Sequence, residues 1–202
     1  MVTLETAKPE DAVGGFHYDH DVSGRLVSLG EWRVTTASSE VADSILQLFG
    51  GGKPRNWETE GSDAIEVLTG ASAIEIIVEG ASKLRRRMIH RGRTSTYVFG
   101  YDGSVELSDV DRSRPTGWEP ETELTFRLAR SPGLGTFWLR SRSWSMANDL
   151  ARNQTEDRLA SASGATLARL ALVPVSFIAK SGPRAGDRVN YTWPALTLVE
   201  AS

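Results

Sequence analysis

From residue 25 onward the chain is patterned. Trp32 and Val34 alternate with Glu31, Arg33 and Thr35, which is the period of a strand with one face in a core. Ser38 or Ser39 then offers an N-cap, Val41, Ile45, Leu48 and Phe49 recur at helical spacing, and Gly50 stands where a left-handed residue closes a helix. Past the turn Gly50-Gly51-Gly52, Ile65 and Val67 and then Ile74, Ile76 and Val78 take up alternation again, with Glu75 and Glu79 between and after. The pattern predicts strand, helix, strand, strand.

A comparable succession starts near residue 123. Leu124, Phe126 and Leu128 alternate with Glu123, Thr125 and Arg127, and Ser131-Pro132-Gly133 turns the chain into a strand expected over 137–144. A thinner helical region follows over 146–162, anchored by Leu150 and Leu159 and broken near 153–155. Two strands over 167–179 and 189–199 flank the hairpin chemistry of Gly182-Pro183-Arg184-Ala185-Gly186-Asp187. Pro174 and Pro194 each remove a ladder donor, so both belong at edges or bulges.

Two stretches lack this order. Residues 1–24 carry Pro9 and the pair Gly14-Gly15 with little periodicity and read as a flexible arm. Residues 83–121 open on a basic run (Lys83, Arg85, Arg86, Arg87, His90, Arg91, Arg93), pass an aromatic strand candidate at 97–99 and end in a turn-rich stretch at 109–120. The expected fold is α+β: two β-rich halves, 25–82 and 122–202, each a strand-helix-strand-strand unit, around a basic, turn-rich central segment, 83–121. At 202 residues the halves can also pack as a single domain.

Composition narrows the function more than the fold. There is no cysteine, which removes disulfides, iron–sulfur clusters and thiolate chemistry. Net charge is −3, so no general attraction draws the chain to a phosphate backbone; contact with DNA needs a local patch or a partner. No apolar run approaches the roughly 20 residues of a membrane span, and residues 1–10 lack the regions of a signal peptide. The expectation is a cytoplasmic protein with no membrane association.

Candidate catalytic features are weak. His17, Asp19, His20 and Asp21 come nearest to a metal site, but they lack helical periodicity and a third ligand at a set distance, so they read as part of a solvated arm with no metal. Gly50-Gly51-Gly52-Lys53-Pro54 ends a helix where a phosphate loop would begin one, and Pro54 takes the position of the required hydroxyl. No Gly-x-Ser-x-Gly occurs, and three histidines are few to serve as base. The sequence is read as a non-enzyme without cofactor.

Binding features are stronger. On a strand over 137–144, strict alternation places Trp138, Arg140, Arg142 and Trp144 on one face, and Trp and Arg are enriched at binding hot spots. Arg85, Arg86, Arg87 and Arg91 form a second candidate patch, since guanidinium groups suit phosphate and carboxylate alike.

Several blocks resemble one family. They are Gly24-Arg25-Leu26-Val27 leading to Trp32-Arg33-Val34-Thr35-Thr36, Leu48-Phe49-Gly50-Gly51 with Trp57-Glu58, and Ile65-Glu66-Val67-Leu68-Thr69. Thr122-Glu123-Leu124-Thr125-Phe126-Arg127-Leu128-Ala129, the block 135–144 and Tyr191-Thr192-Trp193-Pro194-Ala195-Leu196 continue the series. Together they resemble the recombination directionality factors of actinobacterial phages that encode large serine integrases. The resemblance implies an accessory protein that binds the integrase at its coiled-coil region, on attachment-site DNA, and switches it from integration to excision. It implies no sequence-specific DNA binding by the chain alone and no small-molecule substrate, in a bacterial host cytoplasm. Many relatives carry a central cysteine group resembling a metal knuckle; residues 93–115 here have none, so a zinc function is not carried over. The eight contact residues follow from type and spacing, not from the family. Competing readings are a single-stranded-DNA-binding or replication accessory protein of a phage or mobile element, and a small structural protein of a phage particle.

Overall fold

A computed structural model describes residues 8–22, 25–56, 63–91, 96–100, 118–181 and 185–199. Eleven strands among them form a mixed, branched sheet. In chain order they are β1 (Ala12–Val22), β2 (Arg25–Thr36), β3 (Arg55–Asn56), β4 (Ile65–Leu68), β5 (Ala73–Val78), β6 (Leu84–Arg91), β7 (Thr96–Gly100), β8 (Trp118–Leu128), β9 (Thr136–Ser141), β10 (Thr166–Ile178) and β11 (Arg188–Leu198). The helices are α1 (Ser39–Phe49), α2 (Trp144–Arg152) and α3 (Thr155–Ser161).

The strand order is β11-β10-β5-β8-β9-β1-β2-β4-β3, with β6 and β7 branching from β8. Strand β8 is the junction. One of its edges pairs β9 over Thr122 to Phe126. The other pairs β6 over Trp118 to Leu124 and then β5 at Arg127 and Leu128. Only β1 and β9 run parallel among the described pairs.

Alternation decides what fills the interior. Phe16, Trp32, Val34, Val67, Ile76, Leu124, Phe126, Phe137, Leu139, Leu170 and Leu196 belong to one buried cluster, drawn from both sequence halves. Phe16 is its aromatic hub, meeting Trp32, Phe126 and Phe137 edge-on at ring-centroid separations of 5.8, 5.4 and 5.4 Å. Each such side chain contributes roughly 1.5–3 kcal/mol by burial. Helix α1 lays Val41, Ala42 and Ile45 on β2 and β4. The Ser38 hydroxyl accepts the Val41 N–H at 3.3 Å, and Gly50, at φ 67°, donates to Leu46 O at 2.8 Å. Pro194 sits on β11 at the end of the strand path, and Pro174 lies beyond the part of β10 that β5 pairs.

Three expectations are corrected. Residues 12–22 of the supposed arm form β1, paired to β2 on one side and β9 on the other, with Phe16 only 1% exposed. Its alternation is masked because Gly14 and Gly15 occupy two positions that neighbouring groups leave no room to fill. A Cβ at Gly14 would stand 2.7 Å from Thr35 O. The basic run, expected to lack regular order, is strand β6 from Leu84 to Arg91, in register with β8; of the turn-rich stretch 109–120, residues 118–120 belong to β8 and residues 109–117 lie outside the described residues. Finally, the strand expected over 137–144 stops at Ser141. The Ser143 hydroxyl accepts the Met146 N–H at 3.2 Å and starts α2, so Trp144 is a helical residue.

Replacing Phe16 with Ala is expected to lower stability by roughly 3–5 kcal/mol in chemical denaturation. A free arm would leave the midpoint where it was.

Candidate partner-binding face

Opposed residues of paired strands point to the same side of a sheet, so register gives the composition of the face turned away from the core. Along β9, Phe137, Leu139 and Ser141 are buried inward while Trp138 and Arg140 alternate outward. Trp138 stands opposite Thr125 on β8 and Gly15 on β1, and Arg140 stands opposite Glu123. Across β8 the ladder continues, with Glu123 opposite Arg85 and Glu121 opposite Arg87. The aromatic strand and the basic run, distant in sequence, therefore lie on one face with β8 between them.

That face is a charge lattice. Arg87 donates through Nε to Glu121 Oε1 at 2.8 Å and through Nη2 to Glu123 Oε1 at 3.1 Å. Arg142, just beyond β9, brings Nε to 3.9 Å from Glu121 Oε2. The Glu121 side chain is left 1% exposed beneath these two guanidinium groups. Arg140 lies over the Trp138 ring, its Cζ 5.9 Å from the centroid, a cation–π separation.

Toward β1 and β2 the face becomes buried and polar. The Trp138 indole lies against Gly15, where a Cβ would come within 2.8 Å of its Nε1 and 3.1 Å of His17 Nε2. Glycine is needed for that approach. His17 Nε2 is 2.9 Å from Thr35 Oγ1. Burial, then the charges of Arg33 and Arg140, lower its pKa from 6.5 to about 3, so the ring is neutral near pH 7. Burial also raises the Asp19 carboxyl, against the opposing pull of Arg33 and Arg142. The same effect lowers the Arg33 guanidinium, which Glu66 at 3.6 Å and Asp19 counteract. Arg55 donates to Glu66 as well.

The other sequence candidates fall elsewhere. Arg86 points to the opposite side of β6, only 9% exposed, where it pairs with Glu156 of α3 and donates to Ala147 O of α2 at 3.2 Å. It ties the helices to the sheet. Trp144 packs with Met88, Ala147 and Ala151 and is not on the β9 face. Arg91 ends β6 opposite Thr96, and its side chain lies outside the described residues. His17 and His20 are on β1, in no solvated arm, and no group of three metal-binding side chains converges among the described residues. Arg85, Arg87, Trp138, Arg140 and Arg142 thus come together, while Arg86 and Trp144 do not join them.

Sequence reasoning passed over Glu121, Glu123, Arg33 and Glu66. The first two carried a signal, since they alternate with Thr122 and Leu124 in the period of a half-buried strand. This face sets cations, carboxylates and an indole side by side.

Arg86→Ala is expected to cost roughly 3 kcal/mol, because it strands Glu156 and a helical carbonyl. Arg85→Ala is expected to stay within about 0.5 kcal/mol. Equal losses in urea denaturation would contradict the assignment of the two arginines to opposite sides.

His17 also sets a pH dependence. The unfolded chain takes up a proton near pH 6.5, whereas the folded chain does so only near 3, so lowering pH through that window favours unfolding. The slope from this group approaches about 1.4 kcal/mol per pH unit. Asp19, whose pKa is raised on folding, acts in the opposite sense: its contribution is present at low pH and lost as pH rises. Denaturation midpoints between pH 6 and 4 are expected to fall less steeply for His17→Gln than for the unaltered chain. Identical slopes would show that His17 is not held neutral.

No solved structure matches the chain. The Gp3-like family, described as recombination directionality factor-like, matches residues 6–197, which is nearly the whole length and spans both β1 and the β10–β11 hairpin. The chain is therefore a member of the Gp3-like, recombination directionality factor-like family.

Proposed function

We propose that this chain is an accessory protein of site-specific recombination that binds a large serine integrase, at its coiled-coil region and on attachment-site DNA, and shifts it from integration to excision. Membership of a recombination directionality factor-like family supports the recombination role. The observation that carries the binding mode is the face built by β6, β8 and β9, where arginines and a tryptophan are set among glutamates. Such a surface discriminates between protein partners by charge register. It suits a single-stranded-DNA track less well, because Glu121 and Glu123 run through the middle of the cations and oppose a polyanion.

No bond making is needed for this role. A ligand shifts an equilibrium by its difference in affinity for two states, and about 5.5 kcal/mol of difference inverts a 99:1 ratio. The chain acts by holding the integrase–DNA complex in the arrangement that pairs left and right sites.

The test adds purified chain to the cognate integrase with left and right attachment sites. Excision is expected to rise from background toward completion, and integration to be suppressed. Arg140→Gln with Arg142→Gln is expected to weaken integrase binding at least tenfold, about 1.4 kcal/mol, with the fold retained. Unchanged recombination by folded protein with active integrase would overturn the proposal, and full activity of the double variant would remove β9 from the interface.

A further inference from the structure

Beside Trp138 the recognition face is concave. A cleft of about 270 Å³ is bordered by Lys83 and Arg85, by Glu123 and Thr125 of β8, by Trp138, and by Asp11 from the segment ahead of β1. The volume is that of one or two side chains. Lys83 closes a single 3-10 turn, Ala81–Lys83, whose carbonyl at Lys83 accepts from Thr125 Oγ1 at 3.4 Å, so the cleft's cationic side is anchored to its floor.

The two cations here differ from those around them. Arg55, Arg86, Arg87 and Arg127 each meet a glutamate. Lys83 and Arg85 have no ion pair among the described residues, although both border a concavity. Among the described residues, Glu123 on the cleft's border pairs with Arg87, not with Lys83 or Arg85, so both cations of the cleft can be turned toward a partner.

We infer that the cleft receives the carboxylate of an aspartate or glutamate on the protein partner, an inference that rests on the integrase-binding reading above. Lys83 and Arg85 supply the charge and hydrogen-bond donors, and the Trp138 indole supplies an apolar wall for the acidic side chain's methylene stem. Asp11 and Glu123 decide between carboxylate and phosphate. Duplex DNA carries one charge per about 1.7 Å of axis, so a strand laid here would bring further phosphates against both carboxylates. A lone acidic residue on a protein surface of mixed charge brings no such repulsion, and a basic neighbour on that surface meets Asp11.

The test measures binding of the full chain, of Lys83→Gln/Arg85→Gln and of Lys83→Glu/Arg85→Glu to the cognate integrase, with attachment-site duplex alone as a second arm. Integrase affinity is expected to fall roughly tenfold for the neutral pair and roughly a hundredfold for the reversed pair, with melting temperatures of the neutral pair unchanged. One acidic-to-lysine substitution on the integrase is expected to restore binding of the reversed pair. Equal integrase affinities for all three chains overturn the cleft assignment alone. Failure of the unaltered chain to bind integrase overturns that assignment together with the functional reading. A loss confined to the DNA arm assigns the cleft to phosphate and overturns the inference.

Discussion

Two carboxylates of β8 organise the surface that faces away from the core. Glu121 is buried between Arg87 and Arg142, and Glu123 stands between Arg85 and Arg140 in the ladder while accepting from Arg87. Withdrawing a carboxylate from water costs several kcal/mol unless charge and hydrogen bonds compensate. Arg87 supplies both, through hydrogen bonds to Glu121 and Glu123, and Arg142 adds charge beside Glu121; in doing so these two side chains lose rotational freedom. A side chain immobilised during folding does not have to be immobilised again on binding, where that ordering costs about 0.5–1.5 kcal/mol for each long side chain. The glutamates thus convert flexible arginines into a fixed pattern.

The same strand secures the pattern from behind. On its inner side β8 contributes Leu124, Phe126 and Leu128 to the core, and Phe126 packs against the Phe16 hub. A partner pressing on the outer side meets a sheet that is held by β5, β6 and β9 and filled beneath by aromatic rings. A polar cluster of His17, Asp19, Arg33 and Glu66, the last two buried, links β1, β2 and β4 on this side. The proposed function calls for such stiffness, because a deformable surface would adapt to both arrangements of a partner complex and favour neither.

Much of the scaffold was legible in the sequence wherever the information was local. Ser38, Val41, Ile45 and Gly50 marked α1 to its caps. Ile74, Ile76 and Val78 marked β5, and the break between α2 and α3 falls at Asn153 and Gln154, within the expected interval. Strand β1 was illegible because its alternation runs through Gly14 and Gly15, whose small size answers to Thr35 and Trp138 on other strands. The end of β9 was misplaced because Trp144 continued a period of two that the Ser143 cap interrupts. Arg85, Arg86 and Arg87 read as one block, yet Leu84, Arg86 and Met88 share the inner side of β6. Five of the eight chosen contact residues gather on one face, but the glutamates that order them were not chosen. Their role depends on pairings between β6, β8 and β9, which no local window contains.

The most direct measurement of the central claim is hydroxyl-radical footprinting of the chain with and without saturating integrase on attachment-site DNA. The account requires that Trp138 oxidation fall strongly in the complex, while Trp193, packed beside the core on β11, changes little. Unaltered oxidation of Trp138 in a complex shown to be fully formed would place the interface elsewhere and contradict the account.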